Sequence, residues 1–499
     1  MTKKLFLYGC FIGCMFIYNT LFSQSIITSV PEKFSSKYSD YEIIGKNGLG
    51  IVVHHYNEGV NHQLVVYSDH LTPKNKISIN VDEKSTELQE VVLLPSHIAV
   101  FYRQINNGYV YLKAKKIAAD LNLPNSSILM DSIKKDGVEV AEPFFIKTSP
   151  DRTKILTFNL QNSKNEKLNI YYSVYSSNFE LIERRNVFIE DKFGIQLKAA
   201  RIANNGNVVF LAAHASRREN DEKYSIAKFS LITTEMLSKE APMVNTIEQT
   251  GYIFKQPAVD LSLDGTRVFL SGCFKEEDNG KNLGLFVSTM DFKGNNGFFT
   301  KIPLTEEDVI QIQSFEFRNW EDRASIIRPK NIVPRSDGGF ILINESEYKY
   351  TKVVRTPTPT NFSSNTFPYY NQDQYVKYYD QNHYYDLLAI SIQPDGSIDW
   401  KAILPKVQET ESDGGLFSSY FMFESDNILK FLFNEDVYNN GNFMEYNLNA
   451  NGHFKRISIL NSEKKNLQLI PQKALQIDGN SVVIPSERKR YLQLVMFKY

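Results

Sequence analysis

The chain has 499 residues and a formal net charge of −1, from 56 Lys and Arg against 57 Asp and Glu. This balance excludes a broad basic surface for nucleic acid or anionic membranes. The content of 42% hydrophobic and 23% charged residues excludes a disordered or fibrous chain, and 28 Tyr with 34 Phe favour strands over long helices.

The first 23 residues have the pattern of a secretory signal peptide. Two lysines precede an apolar run, Leu5–Ile17, and Ser23 offers a small residue for cleavage. We therefore expect residues 1–23 to be removed and the rest to be exported, to a periplasmic or outer-membrane-associated location. No later segment approaches the ~18 uncharged residues of a spanning helix, so an integral membrane protein is not expected.

The three cysteines bear on anchoring and on redox chemistry. A lipid anchor at Cys14 or Cys10 is the less favoured alternative, because the apolar run before either residue is short. Cleavage after Ser23 would leave Cys273 alone, which excludes a disulfide framework. Cys273 lies in the strand-like run Val268–Phe274, so it is predicted to be a buried thiol rather than a nucleophile.

A recurring strand–turn–strand unit organises the remaining sequence. Eight copies follow one another at a spacing of about 62 residues. Their most apolar strands are predicted at Gly50–Tyr56, His97–Tyr102, Lys154–Phe158, Asn207–Leu211, Arg267–Leu270, Gly339–Ile343, Asn427–Leu432 and Ser481–Ile484. These continuous apolar runs indicate strands that are covered on both faces. The pattern predicts an all-β fold, a single β-propeller over residues 24–499, with eight blades favoured over seven.

Two turns carry a family resemblance. Thr148–Ile155 and Leu261–Val268 resemble the Ser-Pro-Asp-Gly-Lys-Ile turn of TolB-type, WD40-like (PD40) propeller repeats, and Gln393–Trp400 is a related variant. The resemblance implies a propeller and carries no activity with it. The last unit, Ala474–Tyr499, has three recognisable strands, so Ser25–Val30 is predicted to supply the missing strand and close the ring.

The segment 347–385 is a Tyr-rich insertion in the sixth unit. Tyrosine offers a large contact area, few rotatable bonds and a polar tip, which suits binding loops. The candidate partner-binding residues are Tyr369, Tyr370, Tyr375, Tyr378, Tyr379, Tyr384 and Tyr385. The alternative is an extended hairpin whose tyrosines pack on the side of the propeller. The same ring and hydroxyl chemistry also suits a glycan ligand.

No strong catalytic or cofactor motif is present in the sequence, so no catalytic residue, cofactor or metal is assigned. The first unit contains four of the eight histidines. His55 and His62 are predicted to face each other across a hairpin, with His54 on the opposite face. A metal site there would need a third ligand such as Asp69, so cross-strand polar pairing is favoured.

We expect an exported, non-catalytic propeller that acts as a protein-interaction scaffold of the bacterial cell envelope. Three features resemble those of exported Bacteroidota proteins: Leu-Phe-Ser-Gln at the signal-peptide end, the Asn-, Tyr- and Lys-rich composition, and the turn before Trp400. The layout resembles the periplasmic propeller that plugs the type IX secretion translocon, which implies a role in protein secretion and an envelope or outer-membrane protein partner. The alternative is an envelope hydrolase or a carbohydrate-active or glycan-binding propeller with its site at the channel mouth, which carboxylates from different blades would favour.

Overall fold

The computed structural model describes residues 25–33, 37–57, 61–79, 86–118, 121–134, 144–161, 166–215, 226–276, 282–295, 297–309, 319–357, 374–425, 427–437 and 441–499, with the backbone alone for 282–283, 354–357 and 374–376. The predicted signal peptide and its cysteines therefore lie outside the described residues.

Antiparallel strands form eight consecutive units in this part of the chain, six with four strands and units 6 and 8 with five. The first four units are as follows. Unit 1 contains β3 (Asp40–Asn47), β4 (Gly50–Asn57), β5 (Asn61–Tyr67) and β6 (Pro73–Ile79). Unit 2 contains β7 (Thr86–Leu93), β8 (Ile98–Asn106), β9 (Tyr109–Ile117) and β10 (Ile128–Lys134). Unit 3 contains β11 (Phe145–Thr148), β12 (Lys154–Leu160), β13 (Lys167–Ser176) and β14 (Leu181–Glu190). Unit 4 contains β15 (Ile195–Ile202), β16 (Val208–Ala215), β17 (Ile226–Thr234) and β18 (Met243–Glu248).

The second half repeats the arrangement. Unit 5 contains β19 (Tyr252–Leu261), β20 (Arg267–Glu276), β21 (Asn282–Asp291) and β22 (Phe298–Pro303). Unit 6 contains β23 (Ile327–Pro334), β24 (Phe340–Pro357), β25 (Gln374–Ile392) and β26 (Ile398–Leu404), with β27 (Gln408–Glu411) added to β25. Unit 7 contains β28 (Phe421–Ser425), β29 (Ile428–Asn434), β30 (Asn442–Leu448) and β31 (Phe454–Asn461). Unit 8 contains β32 (Leu475–Asp478), β33 (Ser481–Arg488) and β34 (Tyr491–Lys498), with β1 (Ser25–Thr28) and β2 (Glu32–Lys33) from the start of the chain.

Helical structure is confined to short segments among the described residues. These are α1 (Glu306–Val309), α2 (Trp320–Ser325), α3 (Ser462–Lys465) and a 3₁₀ turn at Pro471–Lys473. The strands of units 1–7 pair in sequence order, as in a meander, whereas in unit 8 β1 and β2 pair with β34. A single pairing of Ile226 with Phe254 joins units 4 and 5 into one eight-stranded sheet. The predicted all-β fold is confirmed, whereas the assignment of one blade to each unit remains a prediction.

Hydrophobic side chains fill every seam between consecutive units. Phe158 and Phe210 meet edge to face between units 3 and 4, with ring centroids 5.4 Å apart. Phe443 and Phe497 stack between units 7 and 8. Val53 of unit 1 belongs to the same cluster as Met496 of unit 8, so the seams form a closed cycle. The first strands of successive units contact one another along most of this cycle and lie around its centre, which is the arrangement of a β-propeller.

The second and third strands of each unit are buried because neighbouring units cover both of their faces. In unit 1, Ile51, Val52 and Val53 are fully buried although they alternate between the faces. Val53 packs towards unit 8 and Val52 towards unit 2. This explains why the sequence shows continuous apolar runs here rather than alternation.

The two signature turns have the same hydrogen-bond pattern. In the first, Ser149 Oγ donates to Asp151 Oδ1 at 2.6 Å, and Ser149 Oγ accepts from Lys154 N at 3.0 Å. In the second, Ser262 Oγ donates to Asp264 Oδ1 at 2.5 Å and accepts from Arg267 N at 2.9 Å. The Ser and Asp side chains thus hold a tight connection between the first two strands of units 3 and 5.

One position of the first turn departs from the signature. Arg152 stands where the signature has glycine, and it adopts a left-handed backbone with φ of 60°, close to the 69° of Gly265. Its side chain extends as far as Gly45 of unit 1, where a Cβ would lie 2.5 Å from Arg152 Nη1. Gly45 is therefore required for this approach, and the turn of unit 3 contacts the first strand of unit 1.

The ring is closed by the start of the chain, as predicted. The whole of β1 pairs with β34, from Ser25 opposite Lys498 to Thr28 opposite Val495. Ser29 continues the connection, because its N–H donates to Leu494 O and its Oγ accepts from Leu494 N, both at 2.9 Å. Residues distant in sequence thereby share one sheet.

We expect Ser29→Ala to lower the free energy of unfolding by about 1–3 kcal/mol, because it leaves the buried Leu494 N–H without its acceptor. Urea unfolding measures this loss, and hydrogen exchange at Leu492–Lys498 locates it. The matched control is Ser25→Ala at the exposed outer edge of β1, which should change stability by less than about 0.5 kcal/mol. Equal stability of the two variants would contradict the assigned closure.

Candidate interaction site on the sixth unit

The Tyr-rich insertion forms a long two-stranded ribbon. β24 and β25 contain 18 and 19 residues, and they pair from Phe340 opposite Ile392 to Pro357 opposite Gln374. A register shift between Glu345 and Glu347 divides the part within the unit from the part that extends beyond it. The extended-hairpin alternative therefore describes the backbone of the insertion, and residues 358–373 lie outside the described part.

A third strand supports the base of the ribbon. β27 pairs with β25 from Gln381 opposite Glu411 to Tyr384 opposite Gln408. Beyond this point the ribbon has two strands, which a hydrogen bond from Thr351 Oγ1 to Asp380 Oδ1 joins at 2.8 Å. An isolated two-stranded ribbon is marginally stable in water, so the segment beyond Thr351 is suited to being covered by another surface.

The candidate tyrosines occupy three different environments. Tyr378 is 70% exposed, and Tyr379 beside it on the ribbon is partly exposed. The backbone of Tyr375 pairs with Thr356 at the far end of the ribbon. Tyr369 and Tyr370 lie outside the described residues.

Tyr384 and Tyr385 are buried at the base of the ribbon. The Tyr385 hydroxyl donates to Glu409 Oε1 at 3.2 Å and lies 2.9 Å from His383 Nδ1. The Tyr384 ring is faced by the ammonium groups of Lys349 and Lys406 at 5.3 and 5.8 Å. This placement gives both residues a packing role in the base and does not support their interpretation as partner contacts, because neither ring is open to a partner.

A buried ion pair lies below these tyrosines. Lys406 and Glu345 are fully buried, and Lys406 Nζ lies 2.9 Å from Glu345 Oε1. Burial lowers the pKa of Lys406 against the opposing effect of Glu345. Lys406 also donates from Nζ to Gln408 Oε1 at 2.9 Å and from its backbone N–H to Asp386 Oδ1 at 2.7 Å.

Groups from unit 7 complete this network. Ser419 Oγ donates to Glu345 Oε2 at 2.7 Å, and Gln408 Nε2 donates to Asn434 O at 2.7 Å. Tyr420 is half-buried nearby, and burial of its hydroxyl raises the pKa of that group well above its usual value, with the Glu345 charge adding to the effect. The network therefore connects the ribbon base to the seam between units 6 and 7.

We expect Lys406→Met to lower the free energy of unfolding by about 3–5 kcal/mol, because Glu345 would remain buried without its nearest cation. The double variant Lys406→Met/Glu345→Met should recover most of that loss, since two packed apolar side chains replace the pair. Chemical denaturation of both variants measures the effect.

The control is Lys76→Met, which removes the exposed partner of Glu32 and should cost about 1 kcal/mol or less. A loss at Lys406 no larger than at Lys76 would contradict the role assigned to the buried pair.

The histidine arrangement in unit 1 differs from the predicted one. The register places Tyr56, not His55, opposite His62, so the predicted facing of His55 and His62 is wrong. His54 shares the face of His62, and its Nε2 lies 3.2 Å from His62 Nδ1. His54 Nδ1 contacts Glu42 Oε1 at 3.0 Å. The sequence could not fix which residues face one another, because a one-residue change of register reverses the face of every side chain.

Two of these histidines are held in the neutral form. Burial, with the neighbouring His54 second, lowers the pKa of both His55 and His62 to about 4. As the pH falls, these histidines take up protons near pH 6.5 in the unfolded chain but only near pH 4 in the folded chain. The folded state therefore loses stability as the pH falls from about 6.5 to about 4.

We expect the free energy of unfolding to fall over this pH range in urea titrations, and His55→Gln/His62→Gln to flatten the dependence. The exposed His70→Gln serves as control and should keep the wild-type slope. Burial also lowers the pKa of His97 to about 4, so a smaller slope should remain in the double variant. An unchanged slope in the double variant would show that these histidines are not its source.

Carboxylates from two units lie at the centre of the ring. Glu42 is on β3 and Glu90 on β7, the first strands of units 1 and 2. Desolvation by the surrounding protein and the nearby Glu42 charge raise the pKa of Glu90, while Lys147 of unit 3 lowers it. Neighbouring carboxylates from different units are the kind of arrangement that the enzyme alternative requires.

Cys273 is buried, as predicted. Its Sγ lies 3.4 Å from Ile327 O and 3.7 Å from Gln256 Oε1, and burial raises the pKa of the thiol to about 11. A thiol in this setting is protonated at neutral pH and a poor nucleophile.

Across the described ranges, no group of three or more His, Cys, Asp or Glu residues could hold a metal ion. The helices in the same ranges are all too short or too polar to cross a membrane.

Comparisons with known proteins identify no family. No protein-family model and no curated protein matches the chain. The WD40 domain of SCAP from fission yeast is similar over 95% of this chain and 98% of its own, with 9% identity and a TM-score of 0.39. A prolyl endopeptidase structure is similar over 93% of this chain, which spans 55% of that protein, with 11% identity and a TM-score of 0.40. A puromycin hydrolase structure has 10% identity and a TM-score of 0.27, over 65% of this chain and 52% of its own. Similarities at this level carry no argument about activity. The β-propeller fold is supported by the sheet topology and by the closed cycle of hydrophobic seams between consecutive units.

Proposed function

We propose that this chain is an exported, non-catalytic β-propeller of eight blades that acts as a protein-interaction scaffold in the bacterial cell envelope. Its partner is an envelope or outer-membrane protein, and its role is in protein secretion. The observation that carries the interaction proposal is the ribbon of β24 and β25, which extends out of unit 6 with exposed apolar groups.

The outer part of the ribbon has the chemistry of a contact surface. Val353 is 49% exposed and pairs with Tyr378, which is 70% exposed. When a partner buries exposed large side chains on a two-stranded projection, the complex is stabilised. Aromatic residues often dominate such contacts. Lys352 and Lys377 lie beside this pair and are exposed, so a polar rim surrounds the apolar centre.

The base of the ribbon is suited to holding the projection in place. β27, the buried Lys406–Glu345 pair and the buried Tyr385 fix β25 against the unit. A binding element on a rigid base loses less conformational entropy when it docks than a free loop does. The export and secretion parts of the proposal rest on the sequence pattern of residues 1–23 and on the resemblance stated above.

The test removes residues 353–378 and joins Lys352 to Tyr379 through Asn-Gly, because these two residues are paired and a two-residue turn can connect them. We expect the thermal stability to change little, since β27 and the ribbon base remain. Recovery of the partner from native envelopes, measured by quantitative mass spectrometry, should be lost.

Point variants distinguish the loss of a partner contact from the loss of the fold. Val353→Ala/Tyr378→Ala should reduce partner recovery about tenfold or more. Leu181→Ala/Phe188→Ala is the matched control, because these side chains are 52% and 53% exposed on β14 of unit 3. Equal recovery by both double variants would contradict the proposal, as would full recovery by the folded excision variant.

A second candidate function is catalysis or glycan binding at the channel, which the placement of Glu42 and Glu90 on the contacting first strands of units 1 and 2 favours, together with the raised pKa of Glu90. A carboxyl group that keeps its proton at higher pH is suited to general-acid chemistry. Hydrolysis of envelope glycans by the purified protein that Glu90→Gln abolishes would establish this function, and activity that survives the substitution would exclude Glu90 as its acid.

A further inference from the structure

A cavity of about 380 Å³ lies where unit 5 meets unit 6 at the ribbon base. Its lining residues are Gln256, Arg328, Pro329, Lys330, Glu347 and Lys349. They come from β19 and β23, the first strands of the two units, and from β24 at the start of the projection. The cavity therefore lies beside the ring centre and separate from the exposed Val353 and Tyr378.

The lining has an excess of positive charge. Arg328, Lys330 and Lys349 face the cavity together with one carboxylate, Glu347. Glu347 pairs with Lys330, and Lys349 Nζ lies 2.9 Å from Glu347 Oε1. Three cations against one carboxylate leave two positive charges in the lining, although the whole chain carries a net charge of −1. The charge is thus concentrated locally.

The cations are held in position by the surrounding structure. The Arg328 guanidinium donates from Nη1 to Ser325 O and, at 3.0 Å, to Ile327 O, which fixes its plane. Lys330 Nζ lies 3.8 Å from Glu345 Oε2, whose carboxylate already pairs with Lys406. Donors fixed before binding lose less entropy when they meet a ligand.

The backbone at Gln256 provides an independent observation. A β-bulge interrupts the pairing of β19 with β20 between Lys255 and Ala258, and Gln256 within it has a left-handed φ of 51°. Such a conformation is unfavourable for a residue other than glycine. Bulges are frequent beside functional sites, and this one falls at a residue of the cavity lining.

We propose that this cavity is a binding site for a compact anion, a carboxylate or phosphate group carried by a small molecule. A guanidinium and two ammonium groups match the oxygens of such an anion. Glu347 contacts both lysines and therefore competes with such an anion for them. The volume exceeds that of the anionic group alone, so it leaves room for part of the attached molecule. This site is independent of the proposed docking ribbon.

The experiment is calorimetric titration of the purified protein with inorganic phosphate and, separately, with succinate at low ionic strength. We expect saturable binding of at least one anion with a Kd of about 1 mM or tighter, weakened by added salt. Binding of phosphate alone would identify a phosphate site, and binding of succinate alone a carboxylate site. Absence of saturable binding of both anions would overturn the proposal.

Three variants test the residues. Arg328→Gln should weaken binding about tenfold or more, since it removes a charged donor. Glu347→Gln should tighten binding severalfold, because it frees Lys330 and Lys349 from their competing carboxylate. Arg335→Gln is the control: Arg335 is also on unit 6, but its partners are Asp337 and Asp399 outside the cavity lining.

Two outcomes would overturn the assignment even if an anion binds. One is an equal loss of affinity in Arg328→Gln and Arg335→Gln, which would indicate general charge attraction. The other is weaker binding in Glu347→Gln. If Arg328→Gln fails to fold, Lys349→Gln replaces it, because the Lys349 side chain is 48% exposed and its substitution leaves the core intact.

Discussion

The pairing of β1 with β34 is the constraint on which the closed ring depends. It brings Ser25 beside Lys498, so the two ends of the described chain lie in one unit. Without it, β34 would have an unpaired edge, which is a template for association with other chains. The hydrophobic seams then continue from unit 8 to unit 1, and each unit is covered on both faces by its neighbours. This coverage explains how a chain without a disulfide among its described residues can hold a large β structure together.

Local sequence patterns predicted the repeated part of the fold well. The Ser and Asp residues at positions 149, 151, 262 and 264 form the turns that their spacing indicates, because these hydrogen bonds depend only on residues a few positions apart. The closing strand was also predictable, since a unit with three strands needs a fourth. Arg152 was not predictable in the same way. Its left-handed backbone follows from the turn, but its approach to Gly45 depends on where unit 1 lies relative to unit 3.

The candidate site was only partly predictable, because its components pair over long distances in the sequence. The richness in tyrosine marked the insertion but could not separate the exposed Tyr378 from the buried Tyr385, seven residues later on the same strand. That difference arises where β27 joins the ribbon. The pair of Lys406 with Glu345 spans sixty-one positions, and neither residue stands in a recognisable motif. Charged residues in a sequence are usually interpreted as exposed, so only the packing of units 6 and 7 shows that these two are buried.

Three features of different kinds lie together in unit 6. Its ribbon projects apolar groups, its base contains a fully buried ion pair, and its seam with unit 5 contains the cation-lined cavity. Glu345 connects two of these features, because it pairs with Lys406 on one side and lies 3.8 Å from Lys330 of the cavity lining on the other. Glu347, two residues further along β24, belongs to the lining itself, and the register shift of the ribbon falls between the two glutamates. The cavity lining and the projecting surface therefore share β24, and Glu345 links the charges of the lining to the buried pair at the ribbon base.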